Sequence, residues 1–415
     1  MVSQPFLTTA DVIVLGNLLE DVDEGKHFVA GDVDSSNDQA TWERLNGLTD
    51  PASKHFEPTI VTSWDQKDIH LPAFIQKNIF QPYSLWAQEI VRHKTDVVFL
   101  THTLIYLFTA VPSAVYLFHN FTYTHAIFHW IMIGWYCGAF TLMLHNHIHN
   151  NGVLAKRYAL FDRVYPYILE PLMGHTWDSY FYHHVKHHHS EGNGPLDLSS
   201  TVRYQRDSLL HFLHYVGRFI LLVWIELPIY FIRKGRYGLA VKQFISEMTS
   251  YAFIVTMARY NFRAALFTLI IPLIQMRIGM MVGNWGQHAF VDELEPDSNY
   301  RSSITLIDVP SNRHCFNDGY HTSHHLNPLR HWRDHPAAFI KAKRQYASQQ
   351  ALVFSDIDYI FITVNLLRKN YDHLARCLVP IGPQIGMTHE EKVAMLKTKT
   401  KRFTEEEIRI KFGKN

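Results

Sequence analysis

Two long apolar runs lie close together in the first third of the chain. Residues 96–118, DVVFLTHTLIYLFTAVPSAVYLF, and residues 125–144, HAIFHWIMIGWYCGAFTLML, are each long enough to cross the hydrocarbon core of a bilayer as a helix. Only HNFTYT separates them. Runs of this length with so few charges are uncommon in the cores of soluble proteins. The pattern therefore predicts a transmembrane helical hairpin rather than two buried core helices.

Histidines gather directly after this hairpin and at three later places. LHNHIHNN follows the hairpin, and FYHHVKHHHSEGN, GNWGQHAFVD and GYHTSHHLNP carry the later groups. Their histidines are His145, His147, His149, His183, His184, His187, His188, His189, His288, His321, His324 and His325. The chain has 28 histidines against 3 cysteines. A metal site would therefore be built on imidazole nitrogen rather than on thiolate.

The first group places two histidines on one helical face. His145 and His149 are four residues apart, so they lie about one turn apart on a helix that continues past the bilayer. His147 points to roughly the opposite side of that helix. We therefore expect His145 and His149 to be metal ligands and His147 to be structural or to act behind a ligand.

The later groups repeat a pattern of one histidine, a short spacer and a histidine pair. The second group can be read in two ways, as His184, His187 and His188 or as His184, His188 and His189. The third group reads in one way, as His321, His324 and His325. His288 stands alone, with Asn284 four residues before it on the same helical face.

Together these groups offer nine imidazoles, more than one metal ion uses. A zinc site needs only three or four protein ligands, so nine imply two metal ions. A nitrogen-rich site suits iron, copper or zinc, with iron favoured for oxygen chemistry. Nearby carboxylates could orient ligand imidazoles through their second N–H group. The candidates are Glu191, Asp197, Asp292 and Asp318, of which Asp318, three residues before His321, is the best placed.

The histidine groups also constrain how the chain crosses the membrane. If they share one site, the chain must cross an even number of times between residues 189 and 288. Apolar stretches lie at 209–232, 247–261 and 264–285, so two of the three must span. The basic residues 233–236 favour the cytoplasmic side, which predicts that 209–232 lies in the membrane interface as an amphipathic helix. The second hairpin is then expected over roughly 245–285.

The expected fold is an all-α integral membrane protein with about four transmembrane helices in two hairpins. Residues 1–95 are expected to form an N-terminal cytoplasmic region, 96–330 the membrane domain, and 331–415 a C-terminal cytoplasmic helical region. In the last region, apolar residues recur at helical spacing over 357–367, and Thr388 with Glu391 predicts a capping box.

The bulk composition excludes some other functions. The net charge is +1, so no overall field points to nucleic acid. Cys137, Cys315 and Cys377 are far apart and form no CxxC motif, which indicates a reducing compartment without a disulfide framework. The first residues lack a basic segment before a long apolar run, so a cleaved signal peptide is not expected.

The histidine pattern resembles that of the membrane fatty acid desaturase/hydroxylase superfamily, whose signature is HX3-4H followed by two HX2-3HH segments. Here the segments stand as HNHIH, HHVKHHH and HTSHH, and the resemblance covers about 97–330. NWGQH also looks like the Asn-x-x-x-His segment of acyl-CoA desaturases. By that resemblance Asn284 would bind one iron, directly or through water, and His288 would be the ninth histidine.

One segment is similar to alkane hydroxylases instead. HHHSEGNGPLDLSS looks like their His-His segment followed by a stretch containing proline and aspartate. This alignment favours His184, His188 and His189 as the ligands of the second group. The inserted His147 and the extra His183 and His187 depart from the family pattern, so they remain alternative ligands or residues behind the ligands.

The resemblance implies a cytoplasmic cap that holds two iron ions, with O2 as co-substrate. The expected reaction attacks unactivated C–H bonds of a lipid-like acyl or hydrocarbon chain. Fatty acid desaturation ranks first, and hydroxylation of a lipid or secondary metabolite is the alternative. The chain contains no HPGG motif, so electrons are expected from a separate cytochrome b5 or ferredoxin-type donor with its reductase. The family also suggests the endoplasmic reticulum, with the site facing the cytoplasm.

Two other functions compete with this one. A membrane zinc hydrolase needs only three histidines, which would leave most of the groups unexplained. The ligands of a metal transporter should lie within the spans, near the bilayer midplane. The histidine groups of this chain instead follow the apolar runs.

Overall fold

The computed structural model describes residues 7–25, 36–62 and 64–413 and is mostly helical. This confirms the predicted all-α class. The chain divides into two compact units. The hairpin unit comprises Thr49–Lys186 and Ile220–Gly279. The terminal unit, in so far as it is described, comprises Met1–Leu48, His187–Phe219 and Met280–Asn415.

The first predicted hairpin is present in the hairpin unit. Its helices are Val97–His119 and Tyr123–Asn150. The second of them continues beyond the apolar run and ends at Asn151, which adopts a left-handed conformation with φ of 54°. The first histidine group therefore lies on the last turns of this helix, as the spacing predicted.

Shorter elements surround this hairpin in the hairpin unit. Thr59–Val61 pairs antiparallel with Trp64–Asp65. The helical segments are Gln66–Asp68, Ala73–Ile75, Gln76–Phe80, Gln81–Ile90, Lys156–Tyr158, Ala159–Leu169, Tyr237–Tyr260, Phe262–Ala265 and Leu266–Ile270. Three helices continue from one unit into the other: Phe181–His188, Leu209–Arg233 and Ile271–Gln287.

The terminal unit packs many short helices around a two-stranded parallel sheet, Ile304–Ile307 with Leu352–Ser355. Its other helices are Thr9–Asp23, Ser36–Gly47, His189–Glu191, Asn299–Ser302, Pro310–His314, His321–Leu326, Trp332–Asp334, His335–Lys341, Lys343–Ser348, Tyr359–Leu367, Tyr371–Cys377, Gly382–Gly386, His389–Thr398 and Glu405–Phe412. The core of the unit includes Ile307, Val353 and Phe339, which are fully buried. The predicted capping box is present, with Thr388 Oγ1 3.2 Å from the Glu391 amide nitrogen.

In the described part of the chain, four helices are long and apolar enough to cross a membrane. They are Val97–His119, Tyr123–Asn150, Leu209–Arg233 and the continuous helical run Phe262–Gln287. Their number matches the predicted four. Length and composition select Leu209–Arg233, with a mean hydropathy of 1.7, and not Tyr237–Tyr260. This differs from the expected interfacial position of 209–232.

One contact at each end of helix Tyr237–Tyr260 nevertheless bears on whether this helix crosses the membrane. Nη1 of Arg236, just before this helix, lies 3.5 Å from the Lys186 carbonyl oxygen. Asn261, just after it, donates from Nδ2 to the Phe118 carbonyl oxygen at 3.1 Å, at the opposite end of the hairpin. A helix of this length extends roughly 36 Å, enough to cross a bilayer.

Helix Tyr237–Tyr260 and the run Phe262–Gln287 form the second predicted hairpin. Only Asn261 separates the two helices. Glu247 of the first helix forms a buried ion pair with Arg277 of the second. Two criteria therefore select different third spans, since composition favours Leu209–Arg233 and the contacts favour Tyr237–Tyr260. The interfacial position of 209–232 stays a prediction.

A fully buried arginine holds the segment after His288 in place within the terminal unit. The Arg206 guanidinium donates to five backbone carbonyl oxygens, those of Thr201, Tyr204, Ala289, Lys399 and Lys401. Three separate stretches of chain thus share one cation. Ala289 directly follows a predicted ligand, so the same cation fixes the backbone beside the candidate site.

We expect Arg206→Met to destabilise the protein strongly, because the variant leaves several buried carbonyls without a donor. Hydrogen bonds from charged groups contribute about 1.5–3 kcal/mol each, so the loss should exceed about 3 kcal/mol. Arg203→Met is the matched control, since Arg203 pairs with Glu405 at the surface and such pairs contribute about 0–1 kcal/mol. Thermal unfolding of the purified variants measures both effects. Equal losses of stability in the two variants would contradict the assignment.

Candidate metal centre

Three histidines of the hairpin unit converge at the end of the first hairpin. His145 and His149 lie on one face of helix Tyr123–Asn150, with ring centroids 4.6 Å apart. His184, on helix Phe181–His188, lies 4.7 Å from the first ring and 5.1 Å from the second. One nitrogen of each ring lies within 4.8 Å of the others. We call these three residues the hairpin triad.

His147 lies on the other side of the same helix. Its Nε2 atom is 2.9 Å from the Asp162 carbonyl oxygen and 3.3 Å from a carboxylate oxygen of the same residue. The Asp162 carboxylate also accepts hydrogen bonds from the backbone N–H groups of Val153 and Leu154. His147 therefore contacts the residue whose carboxylate holds the turn after the helix, and its role behind the ligands stays a prediction.

A second group of imidazoles is buried in the terminal unit. His188, His288 and His325 offer nitrogens within 4.8 Å of one another. His321 joins them, since its Nε2 atom lies 3.2 Å from Nε2 of His288. We call these four residues the terminal cluster. They come from three separate parts of the sequence, which helices Phe181–His188 and His321–Leu326 and the end of Ile271–Gln287 bring together.

The last two predicted histidine ligands also meet in the terminal unit. Nε2 of His189 lies 2.9 Å from Nε2 of His324, and the two ring planes are inclined by 76°. Both residues flank members of the terminal cluster in sequence, next to His188 and His325. The structure thus brings together six of the nine predicted histidines within this unit and the other three in the hairpin triad.

The nitrogen spacings fit a shared metal ion. Imidazole nitrogens bind zinc at about 2.0–2.1 Å, so two ligands at right angles around such an ion lie about 3 Å apart. The spacings of 2.9 Å for His189 with His324 and 3.2 Å for His288 with His321 match this value. Among the described residues, nothing hydrogen-bonds to the buried Nε2 atom of His325. That atom is therefore available to a ligand.

The surroundings favour the neutral form of two of these imidazoles, and neutral imidazole is the form that binds metals. Burial, together with the neighbouring His188, lowers the pKa of His288 to about 3. Burial and the neighbouring imidazoles also hold the pKa of His325 well below its ordinary value. Protons therefore do not compete for the nitrogens of these two rings near neutral pH.

One buried carboxylate orients an imidazole of the terminal cluster. Asp197 Oδ2 lies 2.6 Å from Nδ1 of His188, which leaves Nε2 of His188 for a metal. Burial alone would raise the pKa of Asp197, but the interactions with His188 and His187 outweigh burial and hold this pKa well below its ordinary value. Asp197 was one of four carboxylates proposed for this role from the sequence.

His187, which belongs to one of the two interpretations of the second histidine group, has partners of its own. Its Nε2 atom accepts a hydrogen bond from the Leu198 amide at 2.8 Å and faces Asp197 at 3.4 Å. The choice of His184, His188 and His189 as the ligands stays a prediction. His183 is buried but does not belong to the hairpin triad as the described residues form it.

Two polar residues near the terminal cluster have other partners. The Asn284 side-chain amide donates to the Ser199 carbonyl oxygen at 2.9 Å and to the Tyr215 hydroxyl at 2.7 Å, so its role as a ligand stays a prediction. Asp318 accepts from Gln287 at 3.2 Å, and within the described part of the chain no hydrogen bond joins its carboxyl to a histidine. Burial raises the pKa of Asp318 to about 7.

Sequence reasoning had no means of finding Ser199 and Tyr215. They fix the Asn284 side chain across separations of 85 and 69 residues. Ser199 lies in the HHHSEGNGPLDLSS segment, but the pattern of that segment does not indicate a contact with Asn284.

The model of the fatty acid desaturase family matches residues 122–356, more than half of the chain and every histidine group described above. The chain belongs to the fatty acid desaturase family. No curated protein and no solved structure matches it. Family membership and the four apolar helices identify an integral membrane protein of the oxidoreductase type that acts on lipids.

We expect Asp197→Asn to weaken metal binding in this desaturase-family protein, because a neutral amide oxygen accepts a weaker hydrogen bond from His188 than the carboxylate does. Loss of such a partner typically costs about 10–100-fold in metal affinity. The measurement is the metal retained per chain during titration with a chelator.

Asp318→Asn is the matched control, since Asn can still accept from Gln287 and the Asp318 carboxyl contacts no imidazole of the cluster. Its metal affinity should equal that of the unchanged protein. Loss of metal from this variant, with retention in Asp197→Asn, would reverse the roles that we assign to the two carboxylates.

Proposed function

We propose that this protein is an O2-dependent di-iron enzyme that acts on unactivated C–H bonds of a lipid-like acyl or hydrocarbon chain, and that it is a fatty acid desaturase. The observation that carries the proposal is the convergence of imidazoles within each of the two units, in a chain that the model of the desaturase family matches over 122–356. A nitrogen-rich donor set of this size suits two iron ions.

The proposed ligands are the nine histidines of the two units, with Asn284 as a further ligand, directly or through water. The histidines are His145, His149, His184, His188, His189, His288, His321, His324 and His325. When bound, the iron ions supply the activation of O2 and the removal of hydrogen from carbon. The protein holds ligands in orientation, as Asp197 does for His188, and burial keeps the imidazole of His288 neutral.

A lipid-like substrate follows from where the hairpin triad lies. His145 and His149 belong to the last turns of a helix that is long and apolar enough to span the bilayer. An acyl chain could therefore reach the triad from the lipid side, while the electron donor docks from water. The basic residues at 233–236 support a cytoplasmic location for this side, and we propose the endoplasmic reticulum as the membrane.

The reaction needs an external source of electrons. Desaturation consumes one O2, two electrons and two protons and releases two waters, with two hydrogens lost from the chain. Hydroxylation consumes the same reactants and releases one water, with one oxygen atom retained in the product. We propose a separate cytochrome b5 or ferredoxin-type donor with its reductase.

Hydroxylation is the second candidate, and the second histidine group supports it. The choice of His184, His188 and His189, with His187 turned towards Leu198, corresponds to the spacing of alkane hydroxylases. Product analysis with 18O2 separates the two reactions, because only the hydroxylated product carries the label. A zinc hydrolase would use three or four ligands and would leave the remaining imidazoles without a role.

Metal content per chain tests the proposal directly. We expect about two iron ions per chain in detergent-purified protein, measured by mass spectrometry of the metals. About one zinc ion without iron would instead support a hydrolase.

We expect His149→Ala, His188→Ala and His324→Ala each to abolish turnover, because each removes a ligand from a different histidine motif. Membrane insertion should persist, since none of the three supplies apolar surface to a span. His389→Ala is the control, as His389 pairs with Asp372 at the surface far along the chain. Product formation by membranes containing each variant is the measurement. Activity that survives all three substitutions would refute the di-iron proposal.

A further inference from the structure

Two short amphipathic segments of the hairpin unit carry apolar side chains on their open faces. The first comprises helices Ala73–Ile75, Gln76–Phe80 and Gln81–Ile90, with Leu71 just before it. The second is helix Ala159–Leu169. The exposed apolar residues are Leu71, Phe74, Ile75, Ile79, Leu85 and Trp86 on the first and Leu160, Phe161, Val164, Tyr167 and Ile168 on the second. Neither segment is long and apolar enough to span a membrane.

The first segment has three distinct faces. Phe80, Ser84, Ala87 and Ile90 face the protein and are buried. Ile75, Ile79, Pro82 and Trp86 recur at spacings of four, three and four residues, which places them on one stripe of a helix. Lys77, Gln81 and Gln88 lie on a third stripe between the other two. A helix that only covers a protein core has one apolar face towards the core and one polar face towards water. The additional, exposed apolar stripe of this segment therefore indicates a second apolar environment.

The second segment repeats this arrangement. Tyr165 and Leu169 are buried, whereas Leu160, Val164 and Ile168 recur every four residues on the exposed side. Leu160 has 79% of its surface exposed, the same order as a side chain in an unfolded peptide. Such a row is unusual on a surface that faces only water. Lys156 and Arg157, just before the helix, are exposed cations.

Both segments join the same end of the first hairpin. Val91, just after the first segment, pairs with Leu154, just before the second, in an antiparallel bridge. The bridge is continued by hydrogen bonds from the Arg92 amide to the Val153 carbonyl oxygen at 2.9 Å and from the Ala155 amide to the Ile90 carbonyl oxygen at 2.8 Å. The two spanning helices begin and end within a few residues of this bridge, at Val97 and Asn150.

We propose that both segments lie in the membrane interface as a collar around the end of the first hairpin that bears His145 and His149. The bilayer is the occupant of their exposed faces, because only residues 91–96 separate the first segment from the span that begins at Val97, and only 151–158 separate the span that ends at Asn150 from the second segment. The charged side chains from 71 to 90 are Lys77 and Glu89, which pairs with Lys94 at the surface, and Tyr83 and Trp86 suit the boundary between headgroups and acyl chains.

This assignment changes the expected organisation of the N-terminal region. Residues 71–90 belong to the stretch expected to be cytoplasmic, yet here they lie at the depth of the lipid headgroups. The collar fixes the level of the bilayer surface relative to the hairpin triad. Lys156 and Arg157 are positioned to meet anionic headgroups on this side. The inference does not depend on which reaction the protein catalyses.

Spin labels on the full-length protein in lipid nanodiscs test the collar. The labels are placed at Ile79→Cys and Val164→Cys in a background where Cys137 is replaced by Ala and Cys315 and Cys377 by Ser. Collisions of each label with O2, which concentrates in lipid, and with a water-soluble nickel chelate report its depth. Gln81→Cys is the matched control, because Gln81 lies two residues from Ile79 on the exposed polar stripe.

We expect the ratio of O2 to nickel accessibility to be severalfold higher at Ile79→Cys and Val164→Cys than at Gln81→Cys. Equal ratios at all three positions would overturn the proposal, because the apolar faces would then contact water. Protection of Ile79→Cys and Val164→Cys from both reagents would also overturn it, because a protein partner such as a second copy would then cover these faces. Iron content compared with that of the unchanged protein verifies that each labelled variant is folded.

Discussion

Imidazole nitrogens that face one another in buried surroundings are the constraint on which this structure depends. Nitrogens at 2.9 and 3.2 Å repel if both rings are protonated, and burial makes such charges more costly still. The low pKa of His288 shows how the surroundings resolve this by keeping the ring neutral. The resulting cluster of lone pairs is stable only when a shared proton or a cation links them.

The network behind the rings works by fixing backbone as well as side chains. Asp197 holds His188 through Nδ1, and its other oxygen accepts from the Ser199 amide at 2.8 Å. The Ser199 carbonyl oxygen in turn accepts from Asn284, one helical turn before His288. Thus a single loop connects two of the histidine motifs that are about a hundred residues apart in the chain. Disturbing the loop should affect both motifs together.

Sequence periodicity predicted the parts of the structure that depend on local spacing. The first hairpin and the shared face of His145 and His149 follow from apolar run length and from a four-residue interval. The orienting role of Asp197 rather than Asp318 could not be predicted, because both are carboxylates near a histidine motif and only the folded loop decides which one reaches an imidazole. The partners of Asn284 are equally remote in sequence.

The same reasoning explains why hydropathy and packing select different third spans. Length and composition do not select helix Tyr237–Tyr260 as a span, because it contains charged residues, including Glu247. Yet Glu247 is buried against Arg277 of the adjoining helix, with Thr176 and Tyr251 as further hydrogen-bond partners. A charge that is paired and hydrogen-bonded by its neighbours costs much less in an apolar medium than composition suggests, because its partner replaces water. A hydropathy average counts each charged residue separately, whereas the cost of burying Glu247 in the membrane depends on its pairing with Arg277.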